Sequence, residues 1–491
     1  MNHLLILPVI LPGLVAGLIV AFARNHLHLQ RVAAALVVLA LLLVAGLLLV
    51  RATAGPEAYL LGNWPAPFGI VLMLDRLSAL MLALVAVLSG FVLIYVIGTD
   101  WDRRGKHFHA LFLFQLMGLN GAFLTGDAFN LFVFFELLLI ASYGLMIHGG
   151  GADRLRAGVQ YVAFNLLGST LFLFGLGLIY AVTGTLNMAD LAERIAALPA
   201  GDAGLLRVAA VMILLVFAIK GALVPLQFWL PGTYANAPGP VAALFAVMTK
   251  VGAYAVIRFS TLVFPPESAA IGSLVTDLLT PAALATLALG AIGVLGTHNL
   301  PRQVAFAAIG SMGLLFLAVA AGTPAATAAG LYYLLHSTLA AAALFLIADL
   351  VAARRGGAGA QSGLIAALFM AGAVAMAGMP PLSGFVGKLL VMDALRPQAV
   401  WAWSAILLAS LATMIGFARM GSALFWSPQE ADPALPIPQD RGGIAAVLLC
   451  LAALVALTVF AGPIMAWLTV AAENLHAPTA YIAANSLRGG T

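Results

Sequence analysis

Residues 211–231 read VMILLVFAIKGALVPLQFWLP, and this stretch decides the kind of fold. It is long and apolar enough to cross a bilayer, which takes about 20 mainly apolar residues. It nevertheless carries a charge, Lys220, near its middle, and two prolines, Pro225 and Pro231, follow that charge. Proline removes a backbone donor and interrupts a helix, and carbonyls freed within a membrane must be met by protein or water. The stretch therefore predicts a membrane helix that is broken next to a buried charge.

The whole chain has the composition of a polytopic membrane protein. Of its 491 residues, 63% are hydrophobic and 8% are charged, whereas soluble domains carry about 25% charged residues. This composition excludes a soluble enzyme and a disordered or fibrous chain. Apolar runs of spanning length recur from Leu4 almost to the C-terminus, and there are about fourteen by the length rule. Since the strands of membrane barrels are short and alternating, we predict an all-α bundle of about fourteen transmembrane helices.

The basic residues of the loops predict the orientation, because cytoplasmic loops carry more Lys and Arg. One set of alternate loops holds the larger group, namely Arg24, Arg31, Arg103, Arg104, Lys106, Arg154, Arg156, Arg302, Arg354, Arg355 and Arg441. The other set holds Arg51, Arg76, Arg194, Arg207, Arg396 and Arg488. We therefore predict that the first set is cytoplasmic and that both termini face outward. The net charge of +4 reflects mostly this bias, and we expect no nucleic acid as a partner.

The chain offers little for redox or ATP chemistry. Its one cysteine, Cys450, lies in an apolar run, whereas an iron–sulfur cluster takes about four thiolates. Of nine histidines only His336 sits deep in an apolar segment, which argues against a haem with two axial histidines. The sequence also contains no phosphate-binding P-loop pattern. We expect no cofactor, no metal site and no catalytic residues.

Four charged residues lie within apolar spans, where charged side chains are rare in membrane proteins. Three of the four lysines, Lys220, Lys250 and Lys388, fall within apolar spans, and Glu136 stands in the run FVFFELLL. A charge at the bilayer centre costs about 2.5–3.5 kcal/mol on insertion scales. A Glu–Lys contact at about 4 Å is worth roughly 4 kcal/mol at an effective dielectric near 20. Making or breaking such a contact could switch a buried lysine between holding and releasing its proton, so the pattern predicts a proton pathway.

His336 is a further candidate for this pathway. Tyr332 and Tyr333 precede it by one helical turn, so the three side chains share a helix face. Histidine titrates near neutral pH and suits a relay between lysines. Structural alternatives stay open for each residue: a lysine can snorkel to the interface, a Glu–Lys pair can simply hold helices together, and a core histidine can hydrogen-bond a neighbouring helix.

Longer motifs resemble a known family, and they are residues 126–136 (GDAFNLFVFFE), 220–231 (KGALVPLQFWLP), 237–250 (APGPVAALFAVMTK) and 378–388 (GMPPLSGFVGK). They are similar to the antiporter-like subunits shared by Mrp-type cation/proton antiporters and respiratory complex I. The resemblance runs from about Asp75 to about Arg419. It implies about fourteen helices, two inverted five-helix repeats and broken helices 7 and 12, of the kind found in transporters. The domains it implies are an N-terminal three-helix segment (1–107), a first antiporter-like repeat (108–263), a second one (264–425), and a C-terminal helix and tail (426–491).

The resemblance also implies a site. In the family, an acid in the fifth helix, lysines in the seventh, eighth and twelfth helices and a histidine in the eleventh carry the proton path. The matching positions here are Glu136, Lys220, Lys250, Lys388 and His336. One departure is at residues 301–306 (PRQVAF), where the family often has a Lys-Arg pair opening the tenth helix.

Within the family, residues 62–70 (GNWPAPFGI) and 74–81 (LDRLSALM) resemble the D-type subunits of the Mrp, or Pha, antiporters. The resemblance implies a subunit of a Na⁺ or K⁺/proton antiporter in the bacterial inner membrane, which is not an enzyme. Its expected partners are the other Mrp subunits, membrane lipid, protons and Na⁺ or K⁺. Two alternatives stay open: a proton-pumping membrane subunit of an NADH dehydrogenase or membrane-bound hydrogenase, and a structural scaffold subunit.

Overall fold

The computed structural model describes residues 3–199, 201, 203–354, 363–426 and 441–485. Two of the loop arginines on which the predicted orientation rests, Arg355 and Arg488, lie outside these residues.

The first helices and strands are α1 (Leu7–Leu18), α2 (Leu27–Arg51), β1 (Glu57–Leu60), β2 (Val71–Leu74), α3 (Arg76–Gly98), α4 (Phe108–Leu124), α5 (Ala128–Met146), α6 (Ala152–Thr183), α7 (Met188–Ala196), α8 (Gly204–Gly221), α9 (Trp229–Asn236), α10 (Gly239–Phe245) and α11 (Met248–Arg258).

The remaining helices are α12 (Leu274–Gly296), α13 (Leu300–Ala320), α14 (Pro324–Ala353), α15 (Gly363–Ala377), α16 (Ser383–Ala394), α17 (Ala399–Phe425), α18 (Arg441–Val459), α19 (Ala461–His476) and α20 (Thr479–Asn485). Eleven described helical segments are long and apolar enough to cross a membrane, and three shorter apolar helices accompany them, Leu7–Ala23, Phe108–Leu124 and Gly363–Ala377. The predicted all-α, multi-pass membrane fold is confirmed. The count of about fourteen spans, the two inverted repeats and the domain boundaries stay predictions.

One small antiparallel hairpin accompanies the helices. Strands β1 and β2 pair with Glu57 opposite Leu74. The hairpin covers the ends of neighbouring helices, because the Gly126 amide between α4 and α5 donates to the Val71 carbonyl at 2.8 Å. We call the side of the bundle that carries β1 and β2 the hairpin face.

The most buried helices form the centre of the bundle. The apolar window of the span Gly239–Val263 is wholly buried, and 89% of the windows in Leu300–Ala320 and Pro324–Ala353 is buried, against 28% in Arg396–Phe425. Lys250 and Arg258 on α11 are buried, so only other protein groups or enclosed water can meet their charges.

The first predicted break separates α8 from α9. Ala222, just after α8, adopts a left-handed backbone with a φ of 53°. The indole Nε1 of Trp229 donates to the Ile219 carbonyl at 3.0 Å, and the Val224 amide donates to Thr286 Oγ1 at 2.9 Å. Side chains thus satisfy backbone groups that the break frees, as a membrane interior requires.

The second predicted break separates α15 from α16, and a lysine side chain hydrogen-bonds the backbone there. Lys388 Nζ donates to the carbonyl of Ala377, the last residue of α15, at 2.6 Å. Gly378 has a φ of 76°, and a Cβ there would lie 2.7 Å from Lys388 Cδ. Only glycine gives this position both the left-handed backbone and the space for the lysine.

Helices α8 and α11 pack backbone to backbone. A Cβ at Gly252 would lie 2.6 Å from the Gly221 nitrogen and 2.9 Å from the Phe217 carbonyl oxygen. Small residues permit such close approach between membrane helices. The contact brings the last turn of α8, with Lys220, beside the first turn of α11, with Lys250.

A Gly252→Ala substitution tests this packing. The added methyl would press on α8 backbone, which cannot move aside as a flexible side chain can, so we expect a loss of about 1–3 kcal/mol of stability. The measurement is the thermal-unfolding midpoint of the purified complex. Gly46→Ala is the control, because a Cβ there meets nothing within 4 Å. Equal midpoints for the two variants would contradict the close approach.

Candidate proton pathway

Glu136 and Lys220 are linked through α6. The Ser169 hydroxyl hydrogen-bonds the Glu136 carboxylate, and Lys220 Nζ donates to Asn165 Oδ1 at 3.0 Å. In the described part of the chain the carboxylate and the ammonium thus bond to different residues of α6 and not to each other, yet they are near enough for Coulombic attraction. The structure therefore brings the two predicted residues together but inserts two polar side chains between them.

Asn165 and Ser169 are site residues that the sequence-based prediction missed. They stand four residues apart in the middle of α6, so both project from one helix face. Polar residues at this spacing inside a membrane span were a usable signal. Asn165 is oriented by its own amide, because Nδ2 donates to the Tyr161 carbonyl at 2.8 Å and leaves Oδ1 for the lysine. We call Glu136, Ser169, Asn165 and Lys220 the α6 cluster.

Lys250 lies at the centre of the bundle with a weak partner. It is 1% exposed, and its Nζ lies 3.2 Å from Met312 Sδ on α13. A thioether sulfur is a poor hydrogen-bond acceptor compared with an oxygen. The ammonium therefore gains little hydrogen-bond stabilisation from this partner.

His336 contacts the second break directly. It is fully buried, and its Nδ1 lies 2.9 Å from the Ser383 hydroxyl at the start of α16. A Cβ at Gly384 would come within 2.7 Å of His336 Nε2. The imidazole thus packs against the first residues after the break, and a larger residue at 384 would displace it.

Lys388 lies on the same break and reaches α17. Besides the Ala377 carbonyl, its Nζ donates to Ser410 Oγ at 2.8 Å. A cavity of about 20 Å³ lies beside these groups and is also lined by Tyr333 and Thr413. That volume suffices for about one water molecule with polar neighbours. We call His336, Ser383, Lys388 and Ser410 the break cluster.

Four of the five predicted residues therefore belong to the α6 cluster or the break cluster, where they form the hydrogen-bonded pairs Glu136–Ser169, Lys220–Asn165, His336–Ser383 and Lys388–Ser410. Lys250 belongs to neither cluster. The hydrogen bonds of the described residues join Lys250 to Met312 and to neither cluster. The same residues contain no group of three or more His, Cys, Asp or Glu side chains that could hold a metal ion. The arrangement supplies donors, acceptors and titratable groups through the core of the bundle, and the role of each stays a prediction.

Asp127 is a titratable group at the hairpin-face end of the helix that carries Glu136. Its carboxylate accepts the Asn130 amide at 2.7 Å and so caps α5. It is 9% exposed. Burial raises the pKa of Asp127 to about 6, although backbone donors of Asn130 and Phe129 oppose the rise. Asp127 was not among the predicted site residues, because a cap residue before an apolar run needs no further function.

Known proteins match the chain along nearly its whole length. Residues 125–417 match the family model described as NADH:quinone oxidoreductase/Mrp antiporter, TM. The chain is 39% identical to the D-type subunit of a probable K⁺/H⁺ antiporter of Rhizobium meliloti (strain 1021), over 97% of this chain and 96% of that protein. It is 38% identical to the D-type subunit of a Na⁺/H⁺ antiporter of Bacillus subtilis (strain 168), over 99% of each. A chain in the structure of the Mrp complex from Dietzia sp. DQ12-45-1b matches with a TM-score of 0.89 at 28% identity, over 99% of this chain and 100% of that chain.

Asp127→Asn tests the electrostatics of the α5 cap. Asparagine also caps helices well, so the substitution removes the ionisable group and keeps the cap. Because the pKa rises from 3.8 to about 6 on folding, the stabilisation by the protonated acid is complete below about pH 4 and is lost as the pH rises through about 6. The stability of the wild type relative to Asp127→Asn should fall by about 3 kcal/mol at most over that window.

The measurement is the unfolding midpoint of the two purified complexes across the pH range. The difference between them should level off above about pH 8, where the carboxylate is ionised in both the folded and the unfolded state. A difference that does not change with pH would contradict the raised pKa.

Proposed function

The chain belongs to the NADH:quinone oxidoreductase/Mrp antiporter family of transmembrane subunits, and on that premise we propose that it is the D-type subunit of a multisubunit Na⁺/H⁺ or K⁺/H⁺ antiporter. It moves protons along Glu136, Lys220, Lys250, His336 and Lys388. The observation that carries this proposal is the placement of three buried lysines: Lys220 and Lys388 each bond a polar side chain next to a helix break, and Lys250 has a weak thioether partner. It acts with other Mrp subunits in a bacterial inner membrane, with both termini outward, and as a transporter subunit rather than an enzyme.

The α6 cluster is a switch in this proposal. In the observed arrangement Asn165 holds the Lys220 ammonium, and Ser169 holds the Glu136 carboxylate. A change of partner would bring the two charges into direct contact, which at about 4 Å is worth roughly 4 kcal/mol at an effective dielectric near 20. Contact favours a charged Lys220, and separation favours release of its proton toward Lys250.

The remaining steps pass through the centre of the bundle. Lys250 receives the proton, and the weak acceptor Met312 does little to retain it. His336 and Lys388 then pass it along the second break, where Ser410 and the adjoining cavity provide oxygen and room for a water. Since Lys388 also holds the Ala377 carbonyl, movement of that side chain is tied to the conformation of the broken helix.

A proton-pumping subunit of an oxidoreductase is the second candidate, because the family to which the chain belongs includes NADH:quinone oxidoreductase subunits. The proton pathway would be the same, and electron transfer in partner subunits would drive it.

Lys220→Ala tests the pathway. We expect loss of at least 90% of cation-dependent proton flux in vesicles, with the complex still assembled. Lys106→Ala is a matched control, because Lys106 is exposed in a loop and its removal should leave the flux unchanged. Asn165→Leu should also lower the flux, because the ammonium loses its acceptor. Normal flux in Lys220→Ala would overturn the pathway, and loss of assembly before loss of flux would favour a scaffold.

Composition of the purified complex separates the two candidate functions. The chain, tagged and purified gently from its native membrane, should bring small hydrophobic subunits and neither flavin nor iron, because antiport draws its energy from ion gradients. Mass spectrometry identifies the subunits, and absorbance and metal analysis measure flavin and iron on the same sample. Stoichiometric flavin and iron–sulfur proteins would assign the chain to an oxidoreductase.

A further inference from the structure

A cavity of about 330 Å³ opens on the hairpin face, away from both clusters. The residues that line it come from the segment after α2, the start of α3, the end of α11 and the helices α19 and α20. Thr53 and Ala54 are exposed and form its rim. Asp75, Arg258 and Tyr481 are buried and form its floor. We call this cavity the vestibule.

A buried ion pair closes the floor of the vestibule. Arg258 Nη1 lies 2.7 Å from Asp75 Oδ2, and Nη2 donates to Oδ1 at 2.9 Å. The two residues are 3% and 9% exposed, and they join α11 to the start of α3. Burying two charges is costly even when they are paired, and a hydrophobic pair would hold the same helices. Helix packing alone therefore does not explain why a buried ion pair occupies this site.

Two buried polar atoms beside this pair are unsatisfied. Arg258 Nε and Tyr481 Oη are enclosed and have no hydrogen-bond partner among the described residues, although the guanidinium stacks over the Tyr481 ring at 4.8 Å. A buried polar group without a partner destabilises the fold. Water that meets several such groups is the usual remedy. Donors at the floor of a cavity of this size indicate that water reaches the ion pair.

Helix α11 connects this floor to the proton pathway. Lys250, Tyr254 and Arg258 follow one another at intervals of four residues, so they lie along one face of the helix. The Arg258 guanidinium lies 5.5 Å from the centre of the Tyr254 ring. At a rise of about 1.5 Å per residue, the backbone distance from Lys250 to Arg258 is about 12 Å. The tyrosine occupies the interval between them.

We propose that the vestibule is a water-filled route by which protons pass between the hairpin face and Lys250, and that the Asp75–Arg258 pair closes it in this structure. This inference rests on the proposed function and adds a route to it that the α6 and break clusters do not supply. A guanidinium is always charged, and a fixed positive charge at a neck repels protons. Separation of the pair opens the route, and its re-formation prevents leakage.

Thiol blocking tests the route. In a Cys450→Ala background, Ala54→Cys is labelled in the purified complex with a trimethylammonium methanethiosulfonate reagent, and the complex is then reconstituted. A bulky cation at the rim should lower cation-dependent proton flux at least fivefold. Glu193→Cys is the matched control, because it is exposed on α7 and outside the lining of the vestibule. The background complex, treated alike, controls for thiols of other subunits.

Tyr481→Phe is a second test that avoids disrupting the ion pair. It removes an oxygen that has no protein partner in the described structure, so a purely structural role predicts unchanged flux and abundance. A role in the water path predicts a severalfold drop in flux with the amount of complex unchanged. Loss of flux on labelling with normal flux in Tyr481→Phe supports the vestibule and excludes this hydroxyl from it.

Full flux in a completely labelled Ala54→Cys complex overturns the route, whatever Tyr481→Phe shows. If Lys220→Ala abolishes flux in the same assay, the proton pathway stands and only the vestibule is lost. If Lys220→Ala retains normal flux, the proposed function itself has failed.

Discussion

Backbone groups freed inside a membrane must be bonded, and the rest of this structure depends on how that requirement is met at two helix breaks. At the first break the indole of Trp229 and the hydroxyl of Thr286 satisfy the backbone. Lys220 is thereby left to bond Asn165 instead. At the second break Lys388 itself bonds the Ala377 carbonyl. One lysine is thus independent of the backbone of its break, while the other is part of it.

This difference gives the two halves of the proposed pathway different mechanical properties. Partner exchange at the α6 cluster needs only side-chain rotation, because Asn165 and Ser169 sit on an unbroken helix. Movement in the break cluster disturbs the backbone, since His336 packs against Gly384 and Lys388 covers Gly378. In the proposed pathway Lys250 stands between the α6 cluster, whose partners exchange by side-chain rotation, and the break cluster, whose movement disturbs the backbone.

The sequence predicted features that depend on residues close together in the chain. It missed contacts between segments that are far apart in the chain. Long apolar runs predict the helices, and Pro225 and Pro231 predict the first break, because each effect acts within a few residues. The second break was implied by the resemblance that residues 378–388 carry. Isolated charges in apolar runs single out Glu136 and the three lysines for the same reason. The pairing of Asp75 with Arg258 spans 183 residues, and no single-sequence pattern can join them. The β-hairpin was missed because its strands are four residues each and one of them lies within a long apolar run.

The C-terminal helix α20 has a consequence for how the protein is made. Asn187 and Asn485 exchange amide hydrogen bonds, with Asn485 Nδ2 donating to Asn187 Oδ1 at 2.7 Å, and the same short helix lays Tyr481 over Arg258. Residues 479–485 are translated more than 200 residues after Arg258. Throughout that interval Arg258, at the end of α11, lacks its contact with the Tyr481 ring. The contact between Tyr481 and Arg258 is therefore a late event in synthesis, and it forms only after the helices between these two residues have been made.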